Sequence, residues 1–326
     1  MNTFVAMLVE FGWMALQGTL TVGAVLWICR WQAFSPVAKP WLCRLAFLKL
    51  PLSLLGAAIT FRFGVTALAE STQHGPTNLQ WLVAFLGSIW IVGVVIELGI
   101  LALRGCQAHA FLKRASPVSF TIAASVHEVA RRLGWRSPTR IVQVPGLKEP
   151  CVMGGWRPTL VVPANFEALE DPLATAHELA HLRCRHLPIT TAAGLIAAVF
   201  WIIPGVFALE RELVLWHEAE ADRVAQRALG AKPSEMARRV LKAATTPAFG
   251  LSFGAAETER RIHALVGSRP RAATLLLGIA FASVLMIPVR IEANRPASAP
   301  DALRRLGVAE AYSPAGGPVS PRRKVN

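Results

Sequence analysis

Three long apolar stretches open the chain, and they constrain its fold more than any other feature. They run over residues 4–27, 45–68 and 81–103, and a fourth follows at residues 272–290. Each is close to the roughly 20 residues that an α-helix needs to cross about 30 Å of hydrocarbon. The composition agrees, since only 17% of the residues are charged, whereas soluble domains carry about 25%. We therefore predict a mainly α, polytopic membrane protein with four transmembrane helices.

The distribution of basic residues predicts how these helices are oriented. The loop between the first two spans and the segment after the third both carry several lysines and arginines, whereas residues 69–80 carry none. Loops rich in lysine and arginine stay in the cytoplasm. We expect a multi-pass protein of the bacterial cytoplasmic membrane. Its N-terminus lies outside, residues 105–271 lie in the cytoplasm, and residues 291–326 form a disordered tail outside.

Charged residues also occur inside the predicted spans, where an unpaired charge is costly. At 1.5 Å of rise per residue, Glu10 and Arg62 fall near the outer leaflet, and Lys49 and Glu97 fall near the inner one. We predict that each couple forms a structural ion pair.

The formal net charge of +14 raises the question of nucleic-acid binding. However, the basic residues cluster beside apolar runs, and the sequence has no basic stripe interleaved with aromatic residues. We therefore expect the lipid bilayer as a partner and no direct contact with nucleic acid. The five cysteines are scattered singly, which argues against a disulfide framework or a cysteine-rich zinc ribbon.

Residues 105–271 have the pattern of an inserted α+β domain with a small β-sheet. Apolar positions at helical spacing predict a helix over residues 118–133, and residues 140–144 are predicted as a strand. The segments 151–154 and 159–162 flank a turn with Gly155 and Pro158, which predicts a β-hairpin.

The next predicted helix, with Asp171 as its N-cap and Pro172 as its first residue, carries the strongest chemical signal. His177 and His181 are four residues apart, so both imidazoles lie on one helix face and can bind one metal ion. Glu178 is close enough to take a proton from water without being a ligand. This is the HExxH pattern of zinc peptidases. We predict the two histidines as zinc ligands and Glu178 as the catalytic base.

The third ligand decides the class of zinc peptidase. The metzincin pattern requires a glycine and a histidine where Cys184 and Leu187 stand, and His186 is one position early with the wrong direction for the same metal. The gluzincin pattern instead requires a glutamate on a later helix.

A later acidic helix meets that requirement. Glu218 and Asp222 are four residues apart and share a helix face. We predict Glu218 as the third zinc ligand and Asp222 as the acceptor of an N–H from a ligand histidine. Glu220 points elsewhere and is predicted to be a solvated charge.

An apolar segment at residues 188–209 separates the two ligand helices and is long enough to span. A single crossing would put Glu218 across the bilayer from His177, and the three ligands could not meet. Pro204 and Gly205 interrupt the segment. We predict a re-entrant or interfacial hairpin that places the zinc near the membrane surface.

The chain resembles a known family at these motifs and at three further runs. The runs are Glu149-Pro150-Cys151-Val152-Met153-Gly154, Arg157-Pro158-Thr159-Leu160-Val161-Val162-Pro163 and Glu259-Arg260-Arg261-Ile262. With the HExxH motif and the Glu218/Asp222 pair they resemble the antirepressor membrane metallopeptidases, the family of the beta-lactam sensor-transducers and methicillin-resistance signal transducers. The resemblance covers residues 1–290. It implies three spans, a cytoplasmic zinc domain and a fourth span, with the ligands and base assigned as above.

The resemblance has one departure. The sensor-transducers carry a large extracellular penicillin-binding domain after the fourth span, whereas residues 291–326 are rich in proline, alanine and arginine. The resemblance therefore does not extend to antibiotic sensing by that route, and the stimulus stays open.

Three functions follow as hypotheses. The first is a regulatory zinc endopeptidase that cuts itself or a cytoplasmic repressor-like protein. The second is a quality-control or CAAX-type membrane metalloprotease, in which a long transmembrane hairpin separates the HExxH motif from the glutamate. The third is a non-catalytic receptor or scaffold with a structural zinc, which requires a fourth protein ligand that we do not find.

The remaining expectations concern the reaction and its partners. A substrate strand would add to the edge of the 151–163 hairpin. His217, Arg223 and His263 are candidates for stabilising the oxyanion. The expected cofactor is one zinc ion per chain. The expected protein partners are a winged-helix repressor or the chain itself, as substrate or as the second subunit of a homodimer.

Overall fold

A computed structural model describes residues 3–31, 34–53, 78–135, 140–147, 149–164, 166, 168–245 and 255–266. Within these ranges the chain is mainly helical, with a small mixed sheet. The helices are α1 (Thr3–Arg30), α2 (residues 39–53), α3 (Asn78–Leu112), α4 (Phe120–Arg132), α5 (Pro172–Arg183), α6 (His186–Val199), α7 (Val206–Leu229), α8 (Pro233–Thr245) and α9 (Ala255–Val266). The strands are β1 (Ser116–Pro117), β2 (Ile141–Val144), β3 (Cys151–Met153) and β4 (Thr159–Pro163).

Two of the described helices are long and apolar enough to cross a membrane. They are Phe11–Arg30 within α1, with 20 residues, and Trp81–Leu112 within α3, with 32 residues. They coincide with the predicted first and third spans. Most of the predicted second span and all of the predicted fourth lie outside the described residues, as do the side chains of the predicted Glu10–Arg62 pair. The apolar surface of α3 is largely uncovered by protein, as a lipid-facing helix would be.

The apolar segment at 188–209 folds as a helical hairpin. It comprises α6, a turn at residues 200–205 and the start of α7. Gly205, with φ of 83°, adopts the left-handed conformation that ends the turn. The two arms therefore run in opposite directions, and the ligand helices α5 and α7 meet at the base of the hairpin.

The tip of this hairpin packs against α1 and α3 near the middle of each apolar stretch. A Cβ at Gly18 of α1 would lie 2.6 Å from Ile203, and a Cβ at Gly93 of α3 would overlap the indole of Trp201. Trp201 Nε1 donates to the Trp90 carbonyl at 3.2 Å, and Trp90 Nε1 donates to the carbonyl of Val199 at 3.0 Å. The two indoles thus fasten the tip to α3.

The hairpin continues along both helices: α6 runs antiparallel to α3, and the chain leaving the turn runs parallel to α1. Gly194 of α6 lies beside Leu101 of α3, and Gly205, at the end of the turn, lies beside Val22 and Leu26 of α1. Near the C-terminal end of α1, the Arg260 side chain of α9 donates to the Cys29 carbonyl at 3.0 Å. The C-terminal ends of α1 and α3 therefore both lie on the side of the ligand helices.

The four-stranded sheet has the order β1-β2-β4-β3. The predicted hairpin is confirmed as β3 paired antiparallel with β4, with Val152 opposite Leu160. Its turn needs Gly154, which has φ of 93° and whose Cβ would lie 2.8 Å from the Arg157 carbonyl oxygen. The predicted strand at 140–144 is β2, and it pairs in parallel with β4. The sequence did not predict β1, which is two residues long.

A hydrophobic core behind the sheet fixes the orientation of α5. Leu179 of α5 packs there with Val126 of α4, Leu160 of β4, Ala225 of α7 and Met236 of α8, and each of these side chains is at most 2% exposed. Because one face of α5 is committed to this core, the face carrying the HExxH side chains turns towards α7.

The predicted ion pair between Lys49 and Glu97 is wrong. Lys49 Nζ of α2 instead donates to the Thr21 hydroxyl of α1 at 3.0 Å, and the described side chains form no Lys49–Glu97 ion pair. Residue spacing along each helix predicts that the two charges lie at the same depth in the membrane. It does not predict the rotation of α2, which directs Lys49 towards α1.

We expect Gly93→Leu to destabilise the protein by about 1–3 kcal/mol, the usual cost of overpacking a filled site. The added side chain would displace Trp201 from α3. Thermal unfolding of the detergent-solubilised chain would measure the effect. Gly99→Leu is the matched control, because nothing lies within 4 Å of a Cβ at Gly99 on the same helix. Equal melting temperatures for the two variants would contradict the packing described here.

Candidate active site

The local sequence sets where α5 begins and ends. Asp171 caps its N-terminus by accepting the Ala174 N–H at 2.9 Å, and Pro172 is the first helical residue, as predicted. The helix ends at Cys184. Arg185 then takes the left-handed conformation, with φ of 55°, and α6 begins at the next residue. This abrupt turn keeps α6 close to the face of α5 that carries the two histidines.

The structure brings His177, His181 and Glu218 together. The Nε2 atoms of the two histidines are 3.1 Å apart. Glu218 Oε2 lies 3.3 Å from Nε2 of His177, and its Oε1 lies 3.4 Å from Nε2 of His181. Both imidazoles are less than 10% exposed. One ligand atom from each residue falls within 4.8 Å of the others, so the group could hold a metal ion.

Asp222 supports the first imidazole from behind. Its Oδ1 lies 2.8 Å from Nδ1 of His177, and its side chain is fully buried. Arg261 of α9 donates to both Asp222 oxygens at 3.0 Å, and its NH1 lies 3.3 Å from Glu218. The sequence placed Arg261 within a family motif but gave it no role. Its partners lie about 40 positions earlier in the chain, and no local pattern reports such a contact.

Glu220 does not lie in solvent as the sequence predicted. Its Oε2 lies 3.2 Å from Nε2 of His186 and 2.9 Å from NH2 of Arg44, and its side chain is 21% exposed. Nδ1 of His186 lies 3.1 Å from Nδ1 of His181. The sequence pattern tests His186 only as a metal ligand and does not predict this placement beside a ligand histidine.

The three candidates for oxyanion stabilisation have different environments. His217 lines the cavity described below, but both its ring nitrogens are engaged: Nδ1 with the Thr190 hydroxyl at 3.1 Å and Nε2 with Arg44 at 3.3 Å. Arg223 is buried but does not line the cavity, and His263 is exposed on α9. Of the three candidates, only His217 therefore lies near the cluster. Because both its ring nitrogens are engaged, it has no free N–H with which to stabilise an oxyanion.

A cavity of about 510 Å³ opens onto the three clustered side chains. Its walls are formed by β3 and the following glycines, by the base of the α6–α7 hairpin, and by the C-terminal end of α3 at Ala108 and Phe111. Glu178 lines this cavity beside the backbone of Val152 in β3. β3 is an edge strand of the sheet, so one side of it faces the cavity.

The surroundings of the four clustered groups shift their pKa values in different directions. Burial raises the pKa of Glu178 to about 7, against the opposing charge of His177. Burial lowers the pKa of His181 to about 3. For His177 burial acts in the same direction, but Asp222 and Glu218 outweigh it and raise the pKa to about 9. Burial would raise the pKa of Glu218, but the two imidazoles and Arg261 outweigh it and lower that pKa.

Metal ions bind neutral imidazoles and ionised carboxylates, so metal binding by these three residues would release the protons that they carry and would depend on pH. Glu178, with a pKa near neutrality, can both accept and release a proton.

Comparison with known proteins agrees with this arrangement. The model of the BlaR1 peptidase M56 family matches residues 49–265, which is more than half of the chain. No curated protein matches the chain. The matched region contains the two histidines, Glu178, Glu218 and the two α9 arginines. By this match the chain belongs to the BlaR1 peptidase M56 family of membrane metallopeptidases.

Proposed function

We propose that the chain is a membrane-embedded zinc endopeptidase with a regulatory role, which cuts itself or a cytoplasmic repressor-like protein. One observation carries the proposal: two imidazole nitrogens and a carboxylate converge on one point, with a second carboxylate beside them in an open cavity. The family supports a metallopeptidase. We propose in addition that the metal is zinc, that the substrate is the chain itself or a repressor-like protein, and that the cleavage is regulatory.

The donor set fits a catalytic zinc. Catalytic zinc sites hold the metal with three protein ligands, such as two histidines and a glutamate, and leave one position open. Among the described residues, the group around His177, His181 and Glu218 contains no fourth ligand. A structural zinc would need that fourth ligand. The donor set therefore favours the enzyme over the scaffold.

The residues around the cavity supply the steps of peptide hydrolysis. When bound, zinc supplies a Lewis acid that polarises a peptide carbonyl and acidifies water. Glu178 takes a proton from the attacking water and passes it to the leaving amine. The free edge of β3 offers backbone groups to which an extended substrate adds as a further strand.

The α6–α7 hairpin supports a place for this site at the membrane surface. Its tip lies against the middle of α1 and α3, while its base carries Glu218 and His186. We infer that the hairpin enters the bilayer and returns, in a protein with four spans whose protease domain is cytoplasmic. The cavity then opens at the cytoplasmic end of α3.

The length of this hairpin also bears on the alternative function. The quality-control and CAAX-type enzymes separate the HExxH motif from the glutamate with a long transmembrane hairpin. Here the separating segment is 188–209, which residues 200–205 interrupt near its C-terminal end. This shorter insertion favours the regulatory enzyme.

We expect His177→Ala and Glu218→Ala each to abolish zinc binding, because two ligands do not hold the metal tightly. Metal content of the purified full-length chain measures this directly. Added zinc should also raise the melting temperature of the wild type, since zinc at 100 times its Kd stabilises the folded state by about 2.7 kcal/mol. Neither variant should show this rise. Wild-type protein that binds no zinc would contradict the proposed function.

Glu178→Gln should keep zinc and lose proteolysis, because glutamine preserves the shape of the side chain but cannot accept a proton. We expect a loss of about 100- to 10,000-fold. The test is co-expression of the wild type or the variant with candidate repressors, followed by comparison of the fragments. Undiminished cleavage by the variant would rule out Glu178 as the base.

Asp222→Asn should lower zinc affinity by about 10- to 100-fold, the usual effect of losing a partner behind a ligand histidine. Glu212→Gln is the matched control. Glu212 is also a carboxylate of α7 that pairs with both nitrogens of an α9 arginine, Arg260, at 2.7 and 2.6 Å, but its other partner is Trp216 rather than a ligand histidine. Chelator competition should show normal zinc affinity for Glu212→Gln. Equal losses in the two variants would show that Asp222 acts only through the packing of α9.

A further inference from the structure

The second ring nitrogen of His181, Nδ1, has a partner in the structure that none of the sequence motifs predicts. Its Nε2 faces His177 and Glu218, so its Nδ1 points away from them. That atom lies 3.1 Å from Nδ1 of His186, the first residue of α6. A histidine that binds metal through Nε2 as a neutral imidazole must carry its proton on Nδ1. His186 is placed to receive that proton as a hydrogen bond.

The ring of His186 is held rigidly. It is 1% exposed, and it stacks on His217 with ring centroids 4.2 Å apart and planes 7° apart. Its other nitrogen, Nε2, lies 3.2 Å from Oε2 of Glu220. Since an ionised carboxylate only accepts, Nε2 of His186 carries the proton and Nδ1 keeps a lone pair. The tautomer of His186 is thereby the one that accepts from His181.

Arg44 completes this network of hydrogen bonds from a different part of the molecule. Its NH2 donates to Oε2 of Glu220 at 2.9 Å, and its Nε donates to His217 at 3.3 Å. Arg44 therefore pairs with the carboxylate that contacts His186 and also holds the ring that stacks on His186. It belongs to α2, which precedes the ligand helix α5 by more than 100 residues. The network thus links the ligand cluster to a helix that packs on α1.

We propose that His186 is a positioning residue of the metal site: it accepts the Nδ1–H of His181, while Glu220 and Arg44 fix its tautomer and ring plane. The Nε2 lone pair of His181 is then aimed at the metal. His186 thus provides a hydrogen-bond acceptor for Nδ1 of His181, as Asp222 does for Nδ1 of His177. The inference rests on the proposed zinc ligation and names residues that the HExxH pattern does not include.

The same side chains allow a second arrangement. Ligand atoms of Cys184, His186 and Glu220 fall within 4.8 Å of one another and could hold a metal ion themselves. Two contacts argue against it. Both nitrogens of His186 already have partners, and the guanidinium of Arg44 lies 2.9 Å from the carboxylate, where it would repel a second cation. We therefore assign the cluster to positioning.

Zinc affinity of the purified full-length chain, measured by chelator competition, tests the proposal. His186→Leu and His186→Gln should each lose about 10- to 100-fold, since neither offers an acceptor where Nδ1 lies. His186→Asn should recover most of the affinity, because its amide oxygen occupies nearly the same position as Nδ1. Cys184→Ser should match the wild type, as the proposal gives Cys184 no part.

Each other outcome overturns the assignment. Wild-type affinity in His186→Gln would show that His181 needs no partner at Nδ1. Equal losses in the asparagine and glutamine variants would show that His186 only packs. Two zinc ions per wild-type chain, with one lost in Cys184→Ser, would show a second metal site. If His186→Leu does not fold, the asparagine and glutamine variants decide alone. A wild type that binds no zinc refutes the proposed function instead and is distinguished from all of these.

Discussion

The buried carboxylates of α7 set the constraint on which the rest of the structure depends. Removing a charge from water costs several kcal/mol unless other groups compensate it. Four acidic side chains of α7 therefore each meet a cationic or imidazole partner from another helix. Glu212 meets Arg260 of α9, Glu218 meets both histidines of α5, Glu220 meets Arg44 of α2 and His186 of α6, and Asp222 meets His177 and Arg261. One helix thereby orders four others around a single polar centre.

The other end of α7 is held by different forces. Val206, Leu209 and Leu213 are buried against apolar residues of α1 and α2, and the turn before them is fastened to α3 by two tryptophans. The N-terminal part of α7 therefore packs against apolar helices, while its C-terminal part brings Glu218 and Asp222 to α5. The ligand cluster consequently lies near the C-terminal ends of α1 and α3.

Local sequence rules predicted the parts of the site that neighbouring residues determine. The cap at Asp171, the shared face of His177 and His181, and the β3–β4 hairpin all depend on residues a few positions apart. Burial of His217 and the contacts of Glu220 depend on Arg44, more than 170 positions away, and helical periodicity cannot report such a partner. The Lys49 prediction failed for the same reason, because depth along a helix does not give its rotation. The parallel pairing of β2 with β4 likewise could not be predicted from neighbouring residues, because it joins separate parts of the sequence.

The turn at Arg185 has a mechanical consequence. It connects α5 to α6 with no intervening loop. At the other end of the hairpin, α7 begins after the turn and runs back to place Glu218 beside α5. Both halves of the ligand cluster thus lie at the base of the hairpin, and its tip packs against the two long apolar helices α1 and α3. A shift of the tip along these helices would therefore change the distance between the Glu218 carboxylate and the two imidazoles at the base.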